Sequence, residues 1–330
     1  MSFVTETFVS SGLTSPYGLA SDSAGYLYCS DRNTNTILKI TTDGVVSTFI
    51  DSGLTSPYGL AFDSAGYLYC ANKDISTIVK ITPDGVVSTF VDSGLSDPQF
   101  LAIDKFDNLY CTSGSNILKI TSSGVIYTFA TGVTSPLALE CDSFGNLYFS
   151  DYLTSSILKM TSDGTISTIR SGYSSAQFGL KFDTLGNLYC TEVDISNISK
   201  ITTDGTSSIL INSGLNVPIS LTFDIYGILY CTNIGNNTIT KIILPETQEQ
   251  EQTIVTVIPQ VNFNQQCTTS INKYNLGSNN KTYFSMVINS SRAQKASQSR
   301  IFSHMNKIGK GDEYKNYLIE SMGIKRLCYK

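Results

Sequence analysis

Residues 15–31 read SPYGLASDSAGYLYCSD, and residues 56–72 read SPYGLAFDSAGYLYCAN. Two near-identical stretches 41 residues apart make an internal repeat, and such a repeat takes precedence over any local reading of the chain. Working outward, the marker two residues before each Gly-Leu-like pair falls at Pro16, Pro57, Pro98, Pro136, Gln177 and Pro218. A second marker falls at Asp22, Asp63, Asp104, Asp142, Asp183 and Asp224. There are thus six copies, the third three residues shorter near Ser113–Ser115.

Each copy reads as four short strands. The first runs from the YGLA segment to the marker Asp. A turn such as Asp63-Ser64-Ala65-Gly66 follows, where Asp caps nearby backbone and Gly tolerates positive φ. The second strand is YLYC or NLYC, and the third resembles Ile37-Leu38-Lys39-Ile40. A tight turn, Thr82-Pro83-Asp84-Gly85 in the second copy, leads to a fourth strand of the type VVSTFV, rich in β-branched residues. Four strands per unit of about 40 residues predict a propeller blade. The last copy stops after its third strand at Lys241-Ile242-Ile243, whereas the chain begins with a spare fourth strand, and Phe8 aligns with Phe49. The N-terminal strand is therefore expected to complete the last blade, leaving no open edge.

The motifs P-x-G-L-A-x-D, G-N-L-Y-x-x-D, a K-I strand and D-G before the last strand resemble NHL repeats. They are similar to the repeats of virginiamycin B lyase-type proteins and, more distantly, to YWTD propellers. The resemblance implies an all-β, six-bladed β-propeller over residues 1–245. A polar linker at 246–252 and a basic extension at 253–330, of small α+β or partly disordered character, are read from composition.

The resemblance also implies where enzymatic relatives hold their sites, near the top of the central channel. The lyase type uses histidines and a glutamate with magnesium. Here the single histidine is His304, outside the repeats. Gluconolactonase-like and paraoxonase-like propellers hold calcium with carboxylates and amides at the position after the marker Pro. In this chain that position carries Tyr17, Tyr58, Gln99, Leu137, Phe178 and Ile219. The ring reads either as a plug of the channel mouth or as a partner or ligand surface, since aromatic residues dominate interface hot spots. A second ring, Asp31, Asn72, Ser113, Asp151, Glu192 and Asn233, bears oxygen in every copy. It reads as strand caps bonded to the adjoining loop, or as a polar rim or divalent-cation site. No catalytic set and no resident cofactor or metal emerge from these residues.

Cys29, Cys70, Cys111, Cys190 and Cys231 share one repeat position, with Phe149 in the remaining copy. On a middle strand buried on both faces, Cys serves as a small hydrophobe. Equivalent positions in neighbouring blades should lie too far apart for a disulfide. Free thiols, no apolar run of membrane length and no leader-like N-terminus point to an intracellular, cytoplasmic protein.

The net charge of −5 is the difference between two unlike parts. Residues 1–245 hold 11 Lys/Arg against 21 Asp/Glu, whereas residues 246–330 hold 11 against 6. An acidic propeller argues against nucleic-acid binding by the blades. The basic extension has strand candidates at 253–263 and 281–288 and a helical stripe at 291–308, followed by a shorter helix at 312–322. Its Arg292, Lys295, Arg300 and Lys307 are candidate contacts to an anionic surface. The expected role is a non-catalytic protein-interaction or structural module, with the extension for docking or assembly. The alternative is a lyase- or lactonase-like enzyme with a divalent cation in the channel. A bias toward Asn, Ile, Ser, Thr and Tyr resembles proteins of AT-rich genomes, which brings a virion-associated role into view.

Overall fold

The computed structural model describes residues 3–131 and 133–244, together with the backbone of 269–275 and 282–288. Six four-stranded antiparallel sheets form the blades. Blade 1 comprises Pro16–Ser21, Leu27–Asp31, Thr36–Ile40 and Val46–Ile50. Blades 2 to 5 repeat this up-and-down order, and among the described residues there is no helix. The first strand of each blade lies beside the first strand of the next, and that of blade 6 lies beside that of blade 1.

Blade 6 is built from both ends of the propeller, as the spare N-terminal strand predicts. Val4–Val9 pairs antiparallel with Thr238–Ile243, with Val4 opposite Ile243 and Glu6 opposite Lys241. A Glu6–Lys241 ion pair of 3.1 Å spans this seam. Phe8 packs on Tyr230 at 5.1 Å between ring centroids, as Phe49 packs on Tyr28 at 5.0 Å.

Within a blade, the marker Asp explains three of the recurring residues at once. Asp63 accepts from the backbone N–H groups of Ala65 and Tyr67 at 3.1 and 2.8 Å, closing the turn. The same carboxylate accepts from the Tyr69 hydroxyl at 3.2 Å and pairs with Lys80 at 3.4 Å. The Tyr of the second strand and the Lys of the third are thus held by one turn residue. The second strand is buried along its whole length in five of the six blades. Its cysteines, Cys29, Cys70, Cys111, Cys190 and Cys231, are fully buried and free. Burial pushes their thiols up, those of Cys111 and Cys190 to about 12.

Neighbouring blades are joined by a hydroxyl that the sequence pattern did not single out. It follows the Cys position: Ser30, Thr112, Ser150, Thr191 and Thr232, with Ala71 in blade 2. A register shift after the marker residue frees an N–H of the inner strand, and the hydroxyl accepts from it. Gly18 donates to Ser30 at 2.8 Å, Phe100 to Thr112 at 3.0 Å and Ala138 to Ser150 at 3.0 Å. Gly179 donates to Thr191 at 2.8 Å and Ser220 to Thr232 at 3.0 Å. The hydroxyl then donates to a carbonyl of the next blade. Ser30 reaches Tyr58 O at 2.6 Å, Ser150 reaches Gln177 O at 2.6 Å and Thr191 reaches Ile219 O at 3.2 Å. Thr232 reaches Tyr17 O at 2.9 Å and so joins blade 6 to blade 1. Glycine permits this approach: a Cβ on Gly18 would stand 2.2 Å from Tyr58 O, and one on Gly179 would stand 2.5 Å from Ile219 O.

The chain divides into two units, Met1–Thr247 and Gln248–Lys330. In the second, Thr269–Asn275 and Thr282–Ile288 form an antiparallel hairpin. Its second strand coincides with the segment 281–288 expected from sequence. The first was not expected, since INKYN mixes polar and apolar residues without alternation. The strand candidate at 253–263 and the helices at 291–308 and 312–322 lie outside the described residues.

Ser150→Ala leaves the Ala138 N–H and the Gln177 carbonyl buried without their partner. A loss of about 1–3 kcal/mol is expected, read as a lower urea midpoint at unchanged slope. Thr232→Val should behave alike.

Candidate functional site

The residues after the marker Pro converge at the start of the inner strands. Tyr17, Tyr58 and Ile219 are buried there, and Gln99, Leu137 and Phe178 are half-buried. All but Gln99 pack into one apolar cluster that also takes in Phe100. Tyr17 and Tyr58 meet at 4.3 Å between centroids. Phe100 lies 6.0 Å from Tyr17 and 5.9 Å from Phe178, so its ring bridges blades 1, 3 and 5. Phe100 stands where blades 1, 2 and 5 have glycine. Because it departs from the repeat, the sequence pattern did not single it out.

Cations lie over this aromatic floor. The Arg32 guanidinium sits 4.4 Å from the Tyr58 centroid and 5.0 Å from that of Tyr17. Lys73 lies 5.2 Å from Tyr58 and pairs with Asp97 at 3.0 Å, and Gln99 donates to the same carboxylate at 2.9 Å. Burial pushes the Tyr17 hydroxyl up, its Tyr58 neighbour adds to this and Arg32 opposes it. Arg32 and Lys73 directly follow Asp31 and Asn72 in sequence, and that adjacency was the available signal.

The six oxygen-bearing residues are all buried. Five of them accept from the backbone N–H seventeen residues earlier, which fastens the loop entering their own blade. Asp31 accepts from Thr14 N–H and hydroxyl, both at 2.6 Å, and from Ser15 N–H at 3.2 Å. Asn72 accepts from Thr55 at 3.2 Å, Ser113 from Ser96 at 2.7 Å and Asn233 from Asn216 at 3.1 Å. Asp151 accepts from Thr134 N–H at 2.9 Å and from its hydroxyl at 2.6 Å. Glu192 differs: it accepts from the Ser199 hydroxyl inside its own blade. Asp194 takes over the loop, accepting from Ala176 at 3.3 Å. Oxygens engaged with N–H donors in separate blades are not arranged as the converging shell a hard cation requires. Among the described residues no group of three His, Cys, Asp or Glu side chains is placed to hold a metal ion. Arg292, Lys295, Arg300 and Lys307 lie outside the described residues. No helix among the described residues is long and apolar enough to cross a membrane.

Burial acts to raise the carboxyls of Asp31 and Asp151, but hydrogen bonds from Thr14 and Thr134 outweigh it and hold both below the ordinary value. A group depressed on folding stabilises above its unfolded value, about 3.9 for Asp, and that contribution is lost as pH falls through the folded value. Asn is the repeat's own residue in blades 2 and 6. The Asp31→Asn, Asp151→Asn double variant should therefore lose less stability than the native chain between about pH 5 and 3, measured by urea unfolding at each pH.

No family model matches the sequence, and no curated protein does. Among solved structures, the chain is similar to a catalytically inactive variant of virginiamycin B lyase from Staphylococcus aureus with quinupristin. Identity is 17% over 73% of this chain and 99% of that one, with a TM-score of 0.61. It is similar to a gluconolactonase from Xanthomonas campestris, at 19% identity over 73% and 89%, with a TM-score of 0.65. It is also similar to a chain of a nidogen/laminin complex, at 20% identity over 65% and 88%, with a TM-score of 0.59. Together with the six sheets, these likenesses make the chain a six-bladed β-propeller of the architecture found in virginiamycin B lyase and gluconolactonase-like proteins.

Proposed function

We propose that the propeller is a non-catalytic protein-interaction module, with the basic segment 253–330 as its docking or assembly element. The supporting observation is an arc of exposed apolar side chains on the end of the ring opposite the marker prolines. The third residue of the turn after the inner strand is Phe106, Phe144, Leu185 and Tyr226 in four consecutive blades. Their exposures are 69, 83, 67 and 59%. Blades 1 and 2 carry Ala24 and Ala65 there. Contiguous exposed apolar surface marks interaction sites, and aromatic residues carry most of the binding energy at them. Exposed acids at the turns before the outer strands of blades 1, 2, 4 and 5, namely Asp43, Asp84, Asp163 and Asp204, lie at the same end. Such a face suits a partner with apolar and basic side chains. The likeness to a chain of a protein–protein complex agrees with this reading.

The second reading is a lyase- or lactonase-like enzyme with a divalent cation in the channel. It draws on the names of the structural neighbours. Aromatic packing around Phe100 and the loop bonds of Asp31 and Asp151 weigh against it. Calorimetric titration with calcium, magnesium and manganese separates the two. A stoichiometric site abolished by Asp31→Asn would establish the second reading.

Phe106→Ala with Phe144→Ala installs the residue that two blades already carry. The variant is expected to keep its melting temperature and to lose partners that the native chain retains in parallel affinity captures. An unchanged partner set would remove this face from the account.

A further inference from the structure

The junction of blades 4 and 5 departs from the repeat at several positions that meet in space. The last residue of the outer strand is Ile50, Val91, Ala130 and Ile211 in blades 1, 2, 3 and 5, each buried and facing an Ile of the third strand. In blade 4 it is Arg170, facing Ile157. The residue opposite the buried Cys is Leu38, Val79 or Leu118 in the first three blades, whereas it bears a hydroxyl in blades 5 and 6, as Ser199 and Thr240. The outer-strand residue facing the last Ile or Met of the third strand is Val46, Val87, Ile126 or Ile166 in blades 1 to 4, and Ser207 in blade 5. The Leu or Val that follows the loop glycine elsewhere is Tyr173 here. Glu192, as described above, has left the loop-fastening role of its ring.

These five residues line one cavity of about 270 Å³, beside Ile195 and Ile209. The guanidinium of Arg170 lies 4.9 Å from the Tyr173 ring centroid. Arg170 Nε and Ser207 Oγ are buried with no hydrogen-bond partner among the described residues. Glu192 is buried, with the Ser199 hydroxyl on its Oε1. Replacing apolar repeat residues by a cation and hydroxyls costs stability, since a buried polar group without a partner costs about 1–3 kcal/mol. Positions where a sequence breaks its own structural rule are those where function is expected. A cavity below the roughly 300 Å³ lower bound of drug-sized pockets suits a small occupant. A guanidinium fork recognises a carboxylate, and Glu192 offers acceptor oxygen to a donor group.

We propose that this cavity binds a small organic carboxylate that also carries a hydroxyl or ammonium donor, with Arg170 on the carboxylate and Glu192 on the donor. The site is distinct from the channel mouth and from the apolar arc, and it stands whether or not the interaction reading holds.

Isothermal titration of the full chain tests it with two probes and their controls. D-Gluconate presents hydroxyls and D-glucitol is its counterpart without the carboxylate. 6-Aminohexanoate presents an ammonium and hexylamine is its counterpart. Saturable binding of at least one acid is expected, with its control weaker by about tenfold or more. Which acid binds identifies the donor class. Arg170→Ile and Glu192→Asn restore residues that other blades carry at those places. Each should weaken that acid by about tenfold or more while the urea midpoint stays the same or rises. Failure of both acids to bind, or Arg170→Ile binding within about twofold of the native chain, would overturn the proposal.

Discussion

A buried hydroxyl on the second strand, directly after the position that Cys holds in five blades, ties four blades to the next through Ser30, Ser150, Thr191 and Thr232. It serves two backbone groups that no ladder bond reaches: the N–H freed by the register shift in its own inner strand, and a carbonyl of the next blade. Buried backbone groups left without partners are costly, so this bond favours the placement of the inner strands that make it. In blades 1 and 5 glycine accommodates the approach, since a Cβ on Gly18 or Gly179 would stand 2.2 or 2.5 Å from the neighbouring carbonyl. Thr232 to Tyr17 applies the same device across the junction where chain start and chain end meet, and the Glu6–Lys241 strand pairing seals the outer side of that blade.

With the inner strands drawn together, their side chains after the marker Pro are forced inward. Tyr17, Tyr58 and Ile219 become core, and Phe100 fills the space left between blades. The channel mouth is thereby an aromatic floor under Arg32 and Lys73 rather than an oxygen-lined well. Chemistry or recognition by this molecule is better sought where the repeat has been altered: at the turns of blades 3 to 6, and around Arg170 and Glu192.

The repeat made the fold legible in sequence. Six marker Pro or Gln residues, six marker Asp residues and a spare N-terminal strand suffice for the blade count and for the closure at Val4–Val9. The buried role of Cys29 and its equivalents was legible too, because a middle strand has no exposed face. The hydroxyl relay was not. Ser30 and Thr232 repeat visibly, but their partner carbonyls lie on the next blade, 28 residues on or across the chain ends. Phe100, Arg170 and Ser207 were illegible for the opposite reason. Each is an exception to the repeat, and an exception gains meaning only when the register shows what it faces. The oxygen ring was legible as a set of polar positions with two open meanings, and its hydrogen bonds fall within separate blades.

Amide hydrogen exchange at the inner strands tests the relay most directly. Gly18, Phe100, Ala138, Gly179 and Ser220 each donate to a relay hydroxyl, whereas Gly59 belongs to the blade that carries Ala71, which has none. The five should exchange only through global unfolding, at one common free energy, and Gly59 should exchange faster. Equal protection of Gly59, or five amides exchanging independently by local opening, would contradict the relay as the bond that holds the ring.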